Sequence, residues 1–225
     1  MRIQIRSGER TLWDNVAVAL LWRYVSHTVM LGLCLLNEAR PAPSLPDAVL
    51  AVVPRIDWIA RHNYHLWVLA YIPVAAWLWR RDRRNFLAFL YIGGAVSLLR
   101  GVTVNLTGLG PVDGPDVNAG APLETLWAAW LGLVNPFSAL TTDVAHVSLT
   151  KDLFFSGHVS STFLLALHCR RQPLLGPVAW VAHGLTVLVV IFSHLHYTVD
   201  VVGAWAIVMA IHLAWERRSA LPAVK

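Results

Sequence analysis

The chain has 225 residues, of which 56% are hydrophobic and 14% charged, with a net charge of +5; its mean hydropathy is +0.55. A soluble domain carries about 25% charged residues, so this balance excludes an ordinary globular protein of the aqueous phase and indicates an integral membrane protein. Nucleic-acid binding is excluded as well, because the basic residues are scattered over the ends of apolar runs and no nucleic-acid motif accompanies them.

Taken in chain order, apolar runs fall near 16–36, 64–80, 85–107, 158–169, 176–195 and 199–215, each to be compared with the roughly 20 residues a helix needs to cross a bilayer. The first is not a cleaved leader, since Arg23 and His27 interrupt it and no small-residue cleavage site follows. The fourth is short unless it continues into Cys169, Arg170 and Arg171. The pattern predicts an all-α bundle of six transmembrane helices filling residues 1–225 as a single domain, with no appended soluble module, low-complexity tract or linker.

Between the third and fourth spans, residues 108–153 form a long outer-face loop, turn-rich at its start with Gly108, Gly110, Pro111, Gly114 and Pro115. LETLWAAWLGLV, from Leu123 to Val134, is either a gate lying in the membrane interface or a helix packed on the bundle. Glu124 within it is either solvated or a contact to a cationic headgroup, to which the tryptophans offer cation–π faces. Most tryptophans, among them Trp58, Trp67, Trp77, Trp79 and Trp215, fall near span ends as interfacial anchors.

Basic residues give the orientation. Arg2, Arg6 and Arg10, then Arg80, Arg81, Arg83 and Arg84, then Arg170 and Arg171, and finally Arg217, Arg218 and Lys225 fall on one side of the six spans. Arg40, Arg55, Arg61 and Lys151 fall on the other, and Arg23 and Arg100 lie inside spans. Both termini are therefore expected in the cytoplasm. Cys34 and Cys169 then belong to opposite leaflets, which rules out a disulfide between them and leaves small buried hydrophobes.

With that topology His158, His196 and Asp200 converge on the outer face from separate regions of the chain. Ser156 and Gly157 start a helix whose free N–H groups suit a phosphate. His196 and Asp200 are four apart, so the carboxylate can fix the imidazole tautomer and make His196 a nucleophile. His158 takes the acid–base role, and Arg100, an intramembrane charge, is the candidate partner of the phosphoryl oxygens. A zinc site from His158, His194 and His196 lacks a supporting spacing, and no metal or cofactor is expected. His27, His168, His183 and His212 are read as satisfied by neighbours, and His62, His65 and His146 as solvated. A proton-relaying transporter is the other class considered, but it would run titratable groups through the membrane instead of gathering them at one face.

FFSGH at 154–158 with HYTVDVVGAW at 196–205 resembles the sphingomyelin synthase-related branch of the type 2 phosphatidic acid phosphatase (PAP2) superfamily. SLPD at 44–47 is similar to that branch's first luminal motif, and RRNFLAFLYIGGAVSLLRGVTVNLT, from Arg83 to Thr107, to its second. The resemblance implies a catalytic triad of His158, His196 and Asp200, with Asp152 in the same motif. Arg100, Asp152, Ser156, Gly157 and Tyr197 complete the expected substrate- and phosphate-binding set. It implies transfer of a phosphoalcohol headgroup from a glycerophospholipid to ceramide, another lipid hydroxyl or water through a phosphohistidine, releasing diacylglycerol. A homo-oligomer is not distinguished from a monomer. Departures are Val159 for a threonine, Lys151 for a glycine, and GLGPVDGPDV after Thr107 for a Thr-Leu-Pro turn. A PAP2-type lipid phosphate phosphatase is the alternative, but it would carry KxxxxxxRP and an arginine where this chain has Val190.

Overall fold

A computed structural model describes residues 14–135, 137 and 149–220; Arg2, Arg6, Arg10, His146 and Lys225 lie outside them. The described residues form helices and no strand: α1 (Val16–Glu38), α2 (Asp57–Arg81), α3 (Arg83–Thr107), α4 (Leu123–Val134), α5 (Gly157–Cys169), α6 (Leu175–Phe192) and α7 (Thr198–Ala220). Of these, α1, α3, α6 and α7 (as Thr198–Arg218) are long and apolar enough to cross a membrane. The sequence led to six spans; α2 has the length, at 25 residues, but its first half carries Arg61, His62, Asn63 and His65. Helix α5 has 13 residues, about 20 Å of rise against a hydrocarbon core of about 30 Å.

Helix α3 is the hub, and its small residues make it so. Gly93, Ser97 and Gly101 recur every four residues on one face, with Gly94 beside them, and α1 lies against that face. A Cβ on Gly94 would sit 2.1 Å from the Trp22 indole nitrogen, and one on Gly101 would sit 3.2 Å from the Met30 Cα. In lipid there is little hydrophobic gain in joining two apolar helices, so close backbone approach and polar contacts must hold them. Trp22 Nε1 donates to the Tyr91 carbonyl at 3.0 Å and Arg23 Nη1 to Ser97 Oγ at 2.8 Å, both across this seam.

The ends are set locally. Asn15 caps α1, Asp82 both ends α2 and caps α3 through the Asn85 amide, and Gly108 closes α3 in the left-handed region at φ 57°. Helix α4 packs on the outside of α1: Tyr24 Oη donates to the Val134 carbonyl at 2.9 Å, and Trp130 Nε1 to the Thr28 carbonyl at 3.0 Å. Only Leu126 of α4 is buried, while Trp127 and Glu124 are exposed. The main core lies between α2, α3, α5, α6 and α7, with Phe155, Val159, Leu164 and Ala166 of the α5 region near its centre. Cys34 and Cys169 are both buried and unpaired.

Candidate active site

Helix α7 begins at Thr198, which leaves His196 and Tyr197 just before it and Asp200 in its first turn. Asp200 is fully buried and its carboxylate accepts three hydrogen bonds: Oδ2 from His196 Nδ1 at 3.2 Å and the Tyr197 amide at 3.1 Å, and Oδ1 from the Phe154 amide at 3.2 Å. Its backbone carbonyl accepts from the Ser156 amide at 3.1 Å. One residue thus fixes the His196 ring and joins the start of α7 to the start of α5. With Nδ1 donating to the carboxylate, the lone pair of His196 is at Nε2.

Ser156 is fully buried and caps α5, its Oγ accepting from the Val159 amide at 3.4 Å. Position 157 is close-packed, since a Cβ there would come within 3.2 Å of Arg100 Nε and the guanidinium would have to give way. His158 follows, its ring 6.4 Å from that of His196 and tilted by 64° to it. Its other face is held by Trp67 of α2, edge-on at 5.3 Å, and Trp67 is itself fixed by donating to Ser161 Oγ at 3.0 Å. Trp67 was not singled out from the sequence as a site residue, since nothing local to α2 connects it with α5. The two imidazoles at the positive end of α5 are close enough for one phosphate to touch both.

Arg100 is buried with every donor engaged. Its Nε donates to the Phe155 carbonyl at 2.6 Å, Nη1 faces the sulfurs of Met30 at 3.0 Å and Cys34 at 3.8 Å, and Nη2 meets the Asp152 carbonyl and, at 2.9 Å, its carboxylate. The guanidinium shapes the 152–157 backbone and pairs with Asp152; a phosphate would have to displace the weak sulfur acceptors to reach it. Tyr197 points away from the histidines. Its hydroxyl lies 3.1 and 3.0 Å from the Gly110 and Pro111 carbonyls and accepts from the Leu45 amide at 3.0 Å, so it braces the loops that follow α1 and α3. His194 also turns aside, with Nδ1 3.0 Å from Asp113 Oδ2 and Nε2 3.0 Å from the Val53 carbonyl, so neither nitrogen is offered to a metal beside His196. His183 is held between Thr162 and Trp205, His168 donates to the Leu164 carbonyl, and His212 meets Arg170.

Asp47 of the SLPD stretch reaches the same place from outside. It accepts from the Thr198 amide at 2.6 Å and the Thr198 hydroxyl at 2.9 Å, capping α7 from a segment 151 residues away, and also takes the Val49 and Leu50 amides. Partial burial works against its charge, but these hydrogen bonds outweigh it and hold its pKa below the usual carboxylate value. Asp47→Ala should therefore lower stability by about 1–2 kcal/mol, the worth of a lost helix cap. The sign follows from the depressed pKa: the contribution is present above the ordinary value near 3.9 and disappears as pH falls through the lower folded-state value. Thermal unfolding of the two proteins at pH 7 and at acid pH checks this; a gap that does not narrow in acid would assign the effect to packing.

Residues 151–217, which contain His158, His196 and Asp200, match the family described as PAP2 superfamily C-terminal. The chain is 28% identical over 212 residues to phosphatidylcholine:ceramide cholinephosphotransferase 1 of Caenorhabditis elegans, with 84% of this chain and 43% of the relative covered. Sphingomyelin synthase-related protein 1 of Homo sapiens is 25% identical over 212 residues, covering 91% of this chain and 51% of that protein. Human phosphatidylcholine:ceramide cholinephosphotransferase 1 is 26% identical, with 87% and 50% covered. The chain spans about half the length of the curated relatives it matches. The family match falls on the two segments that build the histidine–aspartate site, and the chain as a whole is similar to sphingomyelin synthase-related proteins and ceramide cholinephosphotransferases.

Proposed function

We propose that the protein is a membrane lipid phosphotransferase that moves a phosphoalcohol headgroup from a glycerophospholipid to a lipid hydroxyl such as that of ceramide. The observation that carries this reading is the pairing of an Asp200-oriented His196 with His158 across 6.4 Å at the start of α5. His196 Nε2 attacks phosphorus, the bond from phosphorus to the diacylglycerol oxygen breaks, and His158 supplies the proton that oxygen needs. The acceptor hydroxyl then loses its proton to His158 and attacks the phosphohistidine, breaking the P–N bond and restoring both histidines. Asp200 stabilises the imidazolium character His196 acquires, and the α5 amides face the phosphoryl oxygens. The names of the relatives, which pair phosphatidylcholine with ceramide, support this donor and acceptor class.

A six-span arrangement with both termini in the cytoplasm and the site at the outer face accompanies the proposal. Arg80, Arg81, Arg83 and Arg84 sit at the α2–α3 junction, Arg170 and Arg171 after α5, and Arg217 and Arg218 at the end of α7. In a bundle of alternating direction these share one end, opposite the starts of α5 and α7. Helices α2 and α5 complete the crossing, α5 being preceded by the 149–156 segment that enters the bundle beside Asp200. Purified protein given phosphatidylcholine and ceramide, with lipid products identified by mass spectrometry, tests the function. Phosphocholine on ceramide with equimolar diacylglycerol is the expected result; free phosphocholine with unmodified ceramide would make water the acceptor.

A further inference from the structure

Arg23 is a cation within the span of α1 that lacks a carboxylate partner among the described residues, whereas Arg100 has Asp152, Lys151 has Asp116 and Arg170 has Glu216. Its partners are neutral. Nη1 donates to Ser97 Oγ at 2.8 Å, and the charge lies within electrostatic range of Tyr71 of α2. Gly93 leaves room for it, since a Cβ there would stand 3.2 Å from Arg23 Nε. A charge held this way inside a bilayer is costly, and its retention points to an anion that completes the site.

His27 lies one turn further along the same face. Arg23, His27, Met30 and Cys34 recur at helical spacing, and Met30 and Cys34 are buried against Arg100. His27 shares their stripe, and it lies within electrostatic range of Arg23, Arg100, Asp152 and His158. On α2 a ladder of rings leads from Tyr71 to Trp67, stacked at 4.9 Å, and from Trp67 to His158.

We infer that Arg23 and His27 of α1, with Tyr71 of α2, form an anion subsite inside the bundle that receives the phosphate of a lipid on its way to His158 and His196. The inference rests on the lipid-phosphate reading of the site and adds to it the residues that draw the phosphate below the headgroup layer. Arg23 supplies the fixed charge, and His27 bridges the step towards the reacting histidines. Arg100, already neutralised by Asp152, is left to shape the backbone before α5.

The test is ligand-dependent stabilisation of the full chain in detergent on the His196→Ala background, where turnover cannot consume the probe. Dioctanoyl phosphatidylcholine is the probe, and dioctanoylglycerol, with the same chains and no phosphate, is the control. Arg23→Gln should weaken phosphatidylcholine binding by about tenfold or more, His27→Gln by less, and Arg23→Lys least, with the diacylglycerol response unchanged. If Arg23→Gln does not fold, the Arg23→Lys and His27→Gln pair carries the same comparison. Binding of phosphatidylcholine within twofold of the parent in Arg23→Gln, or in both members of that pair, would overturn the subsite. Loss of probe binding in these variants, in a protein that never transfers or hydrolyses a headgroup, would leave the subsite standing and remove the proposed function instead.

Discussion

His158→Ala is expected to lose about a thousandfold in turnover of phosphatidylcholine, yet to release one stoichiometric burst of p-nitrophenol from p-nitrophenylphosphocholine, whose leaving group needs no proton. His196→Ala should remain inactive with both donors. The asymmetry follows from the contacts each ring makes. His196 is buried, with Nδ1 on Asp200 and Nε2 left as its nucleophilic atom. Among the described residues His158 has no carboxylate hydrogen-bonded to its ring, which packs against Trp67, as suits a group that gives and retrieves a proton. A thousandfold corresponds to about 4 kcal/mol of transition-state stabilisation, within reach of one acid–base group. A stopped assay on His158→Ala with the activated donor should also retain label on His196, since the second step needs the missing base. A burst from His196→Ala in place of His158→Ala would exchange the two roles, and a burst from neither would mean that both rings only bind.

What could be read from the sequence was local. The boundaries of α4, Leu123 to Val134, coincide with the apolar stretch that drew attention, and the end of α3 coincides with Thr107 and a glycine able to adopt φ 57°. His196 and Asp200 are four residues apart at a helix start, so helix geometry alone brings them together. Contacts that cross the chain were not legible. Arg100 was noticed as a charge in need of a partner, but whether that partner is a phosphate or Asp152, 52 residues on, depends on where the 152–155 segment lies. Tyr197 lies beside His196 in sequence and faces the opposite way because α7 has not yet begun there. Arg23 and His27 were visible as interruptions of an apolar run, and their four-residue spacing was the signal that they share a face. The 2.6 Å cap from Asp47 to Thr198 joins two motif segments that no periodicity relates.

Lys151 and Asp116 are the second pair whose alteration should have a large effect, and they sit in two places where the chain departs from the pattern it resembles. Lys151 is fully buried; its Nζ donates to the Arg40 carbonyl at 2.7 Å and pairs with Asp116 at 2.6 Å. Its amide donates to Glu38, and its carbonyl accepts from Asn37 at 2.9 Å. Glu38 also receives Asn118 and Thr150, each at 2.8 Å, so the end of α1, the 116–118 turn and the approach to α5 are tied together one residue before Asp152. A glycine at 151 could not neutralise Asp116, and a family-like turn at 116 would strand the lysine; the two departures answer each other. Lys151→Gly should therefore destabilise the fold by about 3–5 kcal/mol, and Asp116→Leu by a comparable amount, because each leaves a charge without its partner. Lys151→Met combined with Asp116→Leu removes both charges and should recover most of the loss, since a buried ion pair contributes little net stability once both partners are replaced by apolar groups. Thermal unfolding of Lys151→Met, Asp116→Leu and their combination measures the coupling, and simple additivity would show that the ion pair is incidental. Turnover should fall with Lys151→Gly by more than the folded fraction does, because the segment it releases carries Asp152, the Phe154 amide on Asp200 and the first turn of α5.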